Sequence, residues 1–246
     1  MTRIVLVHGA FAGAWCWEPV LPGLRSAGHE VEAIDLPGAG EDRTPVAEVS
    51  LDAYARRICD TVAAGPEPVV LVGHSMGGMA ITQAAARCPE SISALVYVAA
   101  FAPTEGQSLA DLVAYPEAAD DQVQANLVVS GDPPVAELKG EAAIHAIFNC
   151  CTPEQAEWGE RHHGPQPLAP FEGRVSVPEE RREAFERLPR AYVLCTQDQA
   201  IPPQMQRRMV SDRGCDPVIE IATDHAAWIS RTDELVAALN ELAGAH

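Results

Sequence analysis

Gly73-His74-Ser75-Met76-Gly77-Gly78 sets a serine between glycines placed two residues before and two after it. The motif follows the apolar run Val69-Val70-Leu71-Val72 and precedes a helical stretch from Met76 to about Cys88. A G-x-S-x-G segment joining a strand to a helix predicts a tight, strained turn that lifts the serine hydroxyl above the strand end. Gly73 and Gly77 relieve crowding there, and Gly78 lets the helix approach the sheet. The dipole at the start of that helix favours negative charge developing beside Ser75. Ser75 is therefore the candidate nucleophile for acyl transfer.

A hydroxyl needs a base to take its proton, so one of the eight histidines must reach Ser75. His8 and His74 sit in loops beside the motif, where orienting backbone is the simpler role. His29, His145, His162, His163 and His246 fall on helices, in an inserted region or at the terminus. His225 follows the last strand through Ala222-Thr223-Asp224 and precedes the closing helix, which brings it to the same edge of the sheet as Ser75. The base in turn needs a carboxylate to hold its tautomer. Asp198 lies just past the strand Ala191-Tyr192-Val193-Leu194. Asp224 adjoins His225, but neighbouring side chains diverge, which ranks Asp198 first. The remaining requirement is a pair of N–H donors for the oxyanion. Ala10, in the loop His8-Gly9-Ala10-Phe11, and Met76, directly after the nucleophile, are the candidates. The order Ser, Asp, His along the chain is one that supports this chemistry.

These residues need a parallel sheet to position them. Short runs apolar at every position (Ile4–Val7, Val69–Val72, Leu95–Val98) alternate with amphipathic stretches from Trp15 to Ala27 and from about Leu51 to Ala64. That is the pattern of strands buried on both faces, and it predicts an α/β fold with a mostly parallel central sheet flanked by helices. Val31–Ile34, Ala191–Leu194 and Val218–Ile221 supply further strands, and Asp233 to Ala243 a final helix. Between Pro103 and Pro189 there is no strong strand signal, only short helical segments at about 106–114, 119–126, 141–149 and 153–161. So long a structureless loop is improbable in one domain, so a helical cap is expected. The predicted division is a core of residues 1–102 and 189–246 with a cap at 103–188. Apolar cap residues (Leu109, Leu112, Val113, Leu127, Ile144, Ile147, Phe148, Trp158) either line a pocket or pack the cap down. Trp15 and Trp17 share that ambiguity. Phe11, Trp15, Phe148 and Trp158 are the candidate pocket residues.

A formal charge of −18, spread along the chain, disfavours nucleic-acid and membrane partners. No apolar run spans a bilayer, and the first residues read as a strand rather than a signal peptide, so a cytoplasmic protein is expected. Seven cysteines without a C-x-x-C pair argue against a disulfide framework or a zinc site. Cys150-Cys151 read as buried free thiols in a cap helix rather than a redox pair. Neither a metal nor an organic cofactor is implied, and no motif fixes an oligomeric state.

His8-Gly9-Ala10 with Gly13-Ala14-Trp15-Cys16-Trp17, Gly28-His29-Glu30-Val31, the Ser75 motif, Cys195 to Pro202 and Asp224-His225 together resemble the plant methylesterase and hydroxynitrile lyase family and its bacterial esterase relatives, including pyrethroid hydrolases. The resemblance runs from the first strand to the last helix and is weakest in the cap. It implies an α/β-hydrolase fold, the triad Ser75–Asp198–His225, and an oxyanion hole from Ala10 and Met76. Lyases of that family carry Thr at the position of Gly9, an acidic residue at His74, and Lys at Ala226, the cation for departing cyanide. Gly9, His74 and Ala226 therefore favour a serine esterase acting on small hydrophobic esters. The family's methylesterases have Met where this chain has Ala226, so a larger pocket is expected. A lyase and a non-catalytic ligand-binding protein remain the alternatives.

Overall fold

Strands apolar at every position need cover on both faces, and the chain provides it from its first residues onward. The computed structural model describes residues 1–244. In chain order the elements are β1 (Arg3–Val7), α1 (Leu21–Ser26), β2 (Glu30–Ile34), α2 (Leu51–Ala63), β3 (Val69–His74), α3 (Gly77–Arg87) and β4 (Ile92–Val98). A long inserted segment follows, with α4 (Leu109–Val113), α5 (Gln122–Asn126), β5 (Val128–Ser130), β6 (Val135–Glu137), α6 (Gly140–Ile147), α7 (Pro153–His162), β7 (Gln166–Pro167), α8 (Ala169–Glu172) and α9 (Arg182–Arg187). The chain then returns through β8 (Arg190–Cys195), α10 (Pro203–Arg213), β9 (Val218–Ile221), α11 (Ala227–Ser230) and α12 (Thr232–Gly244).

The main sheet has six strands in the order β2-β1-β3-β4-β8-β9, and each of its pairings is parallel. Every residue of β3 and β8 is buried, whereas the edge strands β2 and β9 are partly exposed. Successive side chains of a strand point to opposite faces, and the core divides accordingly. Val5, Val7, Leu71 and Tyr97 pack with α2, α3 and α10 through residues such as Ile58, Met79 and Met209. Ile4, Leu6, Val72 and Val96 pack on the other face with Trp17, Leu24, Leu235 and Leu239. Trp17 is thus a core residue. The strand order reverses between β1 and β3, and a crevice forms outside the carboxyl ends of parallel strands at such a point. The Ser75 turn and the His8–Phe11 loop both leave the sheet there.

Three expectations need correction. The inserted segment is not free of strands: β5, β6 and β7 form a small antiparallel sheet, pairing Val128 with Glu137 and Val135 with Pro167. These strands are two or three residues long, and Val128 and Val129 lie 62% and 55% exposed, so they are too short for a period-2 pattern to mark them in the sequence. Cys59 and Cys88 form a disulfide, with Cα atoms 6.1 Å apart, between α2 and the end of α3. Local spacing hides this pair, because packing of α2 on α3 brings together residues 29 apart. Cys150 and Cys151 lie not in a helix but in the turn between α6 and α7, and they are half-buried. Among the described residues no helix is long and apolar enough to cross a membrane.

Candidate active site

Ser75 occupies the left-handed region at φ 56°, which a residue with a Cβ enters only at a cost of about 1–3 kcal/mol. Backbone hydrogen bonds on both sides hold it there: Ser75 N–H donates to Val98 O (3.3 Å), and Phe101 N–H donates to Ser75 O (3.0 Å). Small neighbours make the turn possible. A Cβ on Gly73 would lie 2.8 Å from Gly77 O, one on Gly77 2.6 Å from His8 O, and one on Gly78 would fall on the Phe101 carbonyl. Gly9 is small for a related reason, since its Cβ would sit 2.6 Å from that of Ser75. The need at Gly9 is close approach to Ser75.

His225 Nδ1 lies 2.8 Å from Asp198 Oδ2, both residues being buried. Asp198 is held by more than this contact. Its Oδ1 accepts the N–H groups of Ala200 (2.7 Å) and Ile201 (2.9 Å), and its Oδ2 accepts Gln206 Nε2 (3.0 Å). Gln206, from α10, is fully buried and also donates to Ile201 O (2.7 Å). Nothing in the sequence distinguishes it from the polar residues around it on that helix. Asp224 turns away from His225 and accepts Cys150 N–H (2.7 Å) and Ser230 Oγ–H (2.7 Å), anchoring the α6–α7 turn.

The other histidines divide by surroundings. His8 Nε2 accepts Leu36 N–H (3.1 Å) while its Nδ1 lies 2.8 Å from Gly9 O, which fixes a neutral ring with the proton on Nδ1. His74 Nε2–H donates to the His225 carbonyl (2.9 Å). Burial holds both rings below the ordinary histidine pKa. His29 precedes β2, His145 and His162 lie in α6 and α7, and His246 lies outside the described residues.

Ser75, His225, Ala10 and Met76 line one cavity. Among the described residues neither Ala10 N–H nor Met76 N–H donates to a protein group. Leu109 and Ile147 of the inserted segment reach the cavity, as do Phe101, Phe171, Ile201 and Trp228. Of the four pocket candidates, Phe11 lines it. Trp15, Phe148 and Trp158 do not; they stand behind the wall, with ring centroids 5.6, 6.0 and 6.4 Å from that of Trp228. Large aromatic rings at a helix junction pack on one another first. Leu112, Val113, Leu127 and Ile144 likewise join the core. Ala226 is fully buried, lies outside the cavity lining and donates its N–H to Ile147 O (3.2 Å), so its small side chain does not enlarge the pocket.

Two titratable cavity residues escaped sequence reasoning: Asp121, just before α5, and His163, just after α7. Burial lowers the His163 pKa to about 4. The sign of the linkage follows. The unfolded chain takes a proton near pH 6.5 and the folded one resists it, so the penalty appears as pH falls through 6.5 and is complete below 4. At pH 5 it amounts to about 2 kcal/mol. His163→Phe is expected to lose about that much less stability than the parent between pH 7 and pH 5, read by denaturant unfolding. Equal losses would show that His163 does not carry this penalty.

Known proteins share this fold. A sequence profile described as the alpha/beta hydrolase family matches residues 4–238. The chain is 32% identical to salicylic acid-binding protein 2 of Nicotiana tabacum, over 98% of this chain and 96% of that one. It is 30% identical to polyneuridine aldehyde esterase of Rauvolfia serpentina, over 98% and 95% of the two chains. A crystal structure of polyneuridine aldehyde esterase superposes with a TM-score of 0.86, covering 98% of this chain and 99% of that one. A pyrethroid hydrolase from Sphingobium faniae, at 24% identity, shares the fold with a TM-score of 0.86 over 99% of this chain and 98% of its own.

Proposed function

This chain belongs to the alpha/beta hydrolase family and is a carboxylic ester hydrolase, and from that premise we propose that it is a serine esterase acting on small hydrophobic esters through an acyl-enzyme. The observation that carries the reading is the 2.8 Å contact between His225 and Asp198 beside the cavity that Ser75 shares with His225. His225 takes the Ser75 proton as Oγ attacks the ester carbonyl, and Asp198 stabilises the resulting imidazolium. The unengaged N–H groups of Ala10 and Met76 receive the oxyanion; one such donor contributes on the order of 10²–10³ in rate. His225 then protonates the leaving alcohol, and water repeats the sequence to release the acid.

Residues 103–188 are read as a cap over a core of 1–102 and 189–246. Leu109, Ile147 and Phe171 of that segment supply apolar wall to the cavity, which supports both the cap and the preference for uncharged esters. Ala226 supplies no cation, which sets the reading apart from cyanide-releasing chemistry. Labelling with a fluorophosphonate probe, peptide mapping and turnover of p-nitrophenyl esters test it together. A single adduct on Ser75 with turnover is expected. An adduct elsewhere, or turnover that is unaffected by labelling, would overturn it.

A further inference from the structure

The cavity wall is apolar except for a few side chains, and Asp121 and His163 are among those with no role in the chemistry above. Asp121 is 6% exposed and lines the cavity. One of its oxygens is accounted for, since Oδ1 accepts Gln124 N–H (2.9 Å) and caps α5. Asparagine or serine caps a helix equally well, so capping does not explain a carboxylate here. Asp121 is close enough to Asp198 for the two like charges to oppose one another. Burying a charged carboxylate is costly, and among the described residues backbone N–H groups alone donate to this one. His163 presents the second anomaly. Its Nδ1 is buried and has no hydrogen-bond partner among the described residues, although the ring lines the same cavity. Burial keeps the ring neutral, so the unpartnered Nδ1 can accept a hydroxyl proton or donate to a hydroxyl oxygen.

Asp121 is thus an acceptor on the cavity wall and His163 brings an unpartnered ring nitrogen to the same wall, and a phenyl ring would serve the packing of His163 against Phe11 and Phe148 as well. We infer that Asp121 and His163 form a polar subsite for a hydroxyl carried by the substrate, so that the preferred esters bear a hydroxyl on the acyl or alcohol part. The inference rests on the esterase reading and narrows its substrate class. Asp121 lies two residues before Val123, another wall residue, while His163 adjoins Gly164, whose N–H donates to Phe11 O (2.8 Å). The two polar groups thus enter the wall from two separate segments. A hydroxyl hydrogen-bonded to a carboxylate contributes roughly twice what a neutral pair does, so Asp121 carries the larger share.

The test uses matched esters: ethyl butanoate against ethyl 3-hydroxybutanoate, 2-hydroxyethyl butanoate and 3-hydroxypropyl butanoate. At least one hydroxyl ester should exceed the parent in kcat/KM by about tenfold. Asp121→Asn keeps the helix cap and removes the charge, and His163→Phe keeps the ring packing. Each should cut that ratio severalfold, with the change chiefly in KM. A purely structural role would shift both members of a pair alike. The same esters are titrated into Ser75→Ala by calorimetry, which reports the preference without turnover. A hydroxyl preference in binding with no turnover by the parent protein would remove the esterase reading and leave the subsite standing. Equal affinities and equal kcat/KM across the series, or a preference unmoved by both variants, would overturn the subsite.

Discussion

Ser75→Ala is expected to lower kcat for a p-nitrophenyl ester by about 10⁴–10⁶ while leaving the thermal midpoint within a few degrees of the parent. The loss is large because every covalent step in the proposed route begins or ends on Ser75 Oγ. The fold should survive because the hydroxyl makes no structural contact on which packing depends; the backbone bonds to Val98 and Phe101 hold the turn. Alanine at φ 56° inherits the strain unchanged. Ser75→Gly separates the two effects further. Glycine reaches the left-handed region without penalty, so this variant should be as inactive as the alanine one yet unfold at a higher temperature. Catalysis and stability would then move in opposite directions at one residue, as expected of strain held at a functional turn. Residual activity within tenfold of the parent in either variant would end Ser75's candidacy.

What was legible beforehand was local or periodic. The run Val69–Val72 followed by Gly73-His74-Ser75-Met76-Gly77 announces a strand, a tight turn and a helix within one window, so the turn could be read from spacing alone. Strand runs such as Ile4–Val7 are apolar at each position because both faces are covered. What escaped depends on tertiary approach. Gln206 looks like any polar residue of α10 until Asp198 is placed against it. Asp121 carries the signature of an ordinary helix cap, and only the cavity reveals that its carboxylate faces inward. His163 was set aside with the other histidines of the inserted segment for want of a neighbour. Apolar character marks Trp15, Phe148 and Trp158 as interior but does not say which side of a wall each ring occupies. Cys59 and Cys88 are joined by a helix–helix contact that no spacing rule encodes.

Asp198→Asn is expected to reduce kcat/KM by about 10⁴, and Asp224→Asn to leave it within about tenfold. The carboxylate of Asp198 receives four donors: Ala200 N–H and Ile201 N–H on Oδ1, and Gln206 Nε2–H and His225 Nδ1–H on Oδ2. An asparagine has one acceptor oxygen. Turned so that its oxygen keeps the two backbone donors, its amide confronts both Gln206 and His225 with a second donor. The relief available to His225 is to move its proton to Nε2, and that nitrogen then no longer accepts the proton of Ser75. The failure is one of tautomer, so the variant should still fold, though less stably. Asp224 receives Cys150 N–H and Ser230 Oγ–H, and an asparagine there retains one of them. Its cost should appear as stability, about 1–2 kcal/mol, through loosening of the turn that follows α6. The two substitutions make the same chemical change at two carboxylates on the loops around His225. A loss at Asp224 equal to or greater than that at Asp198 would mean that His225 draws its support from its neighbour in sequence, and the proposed triad would have to be redrawn.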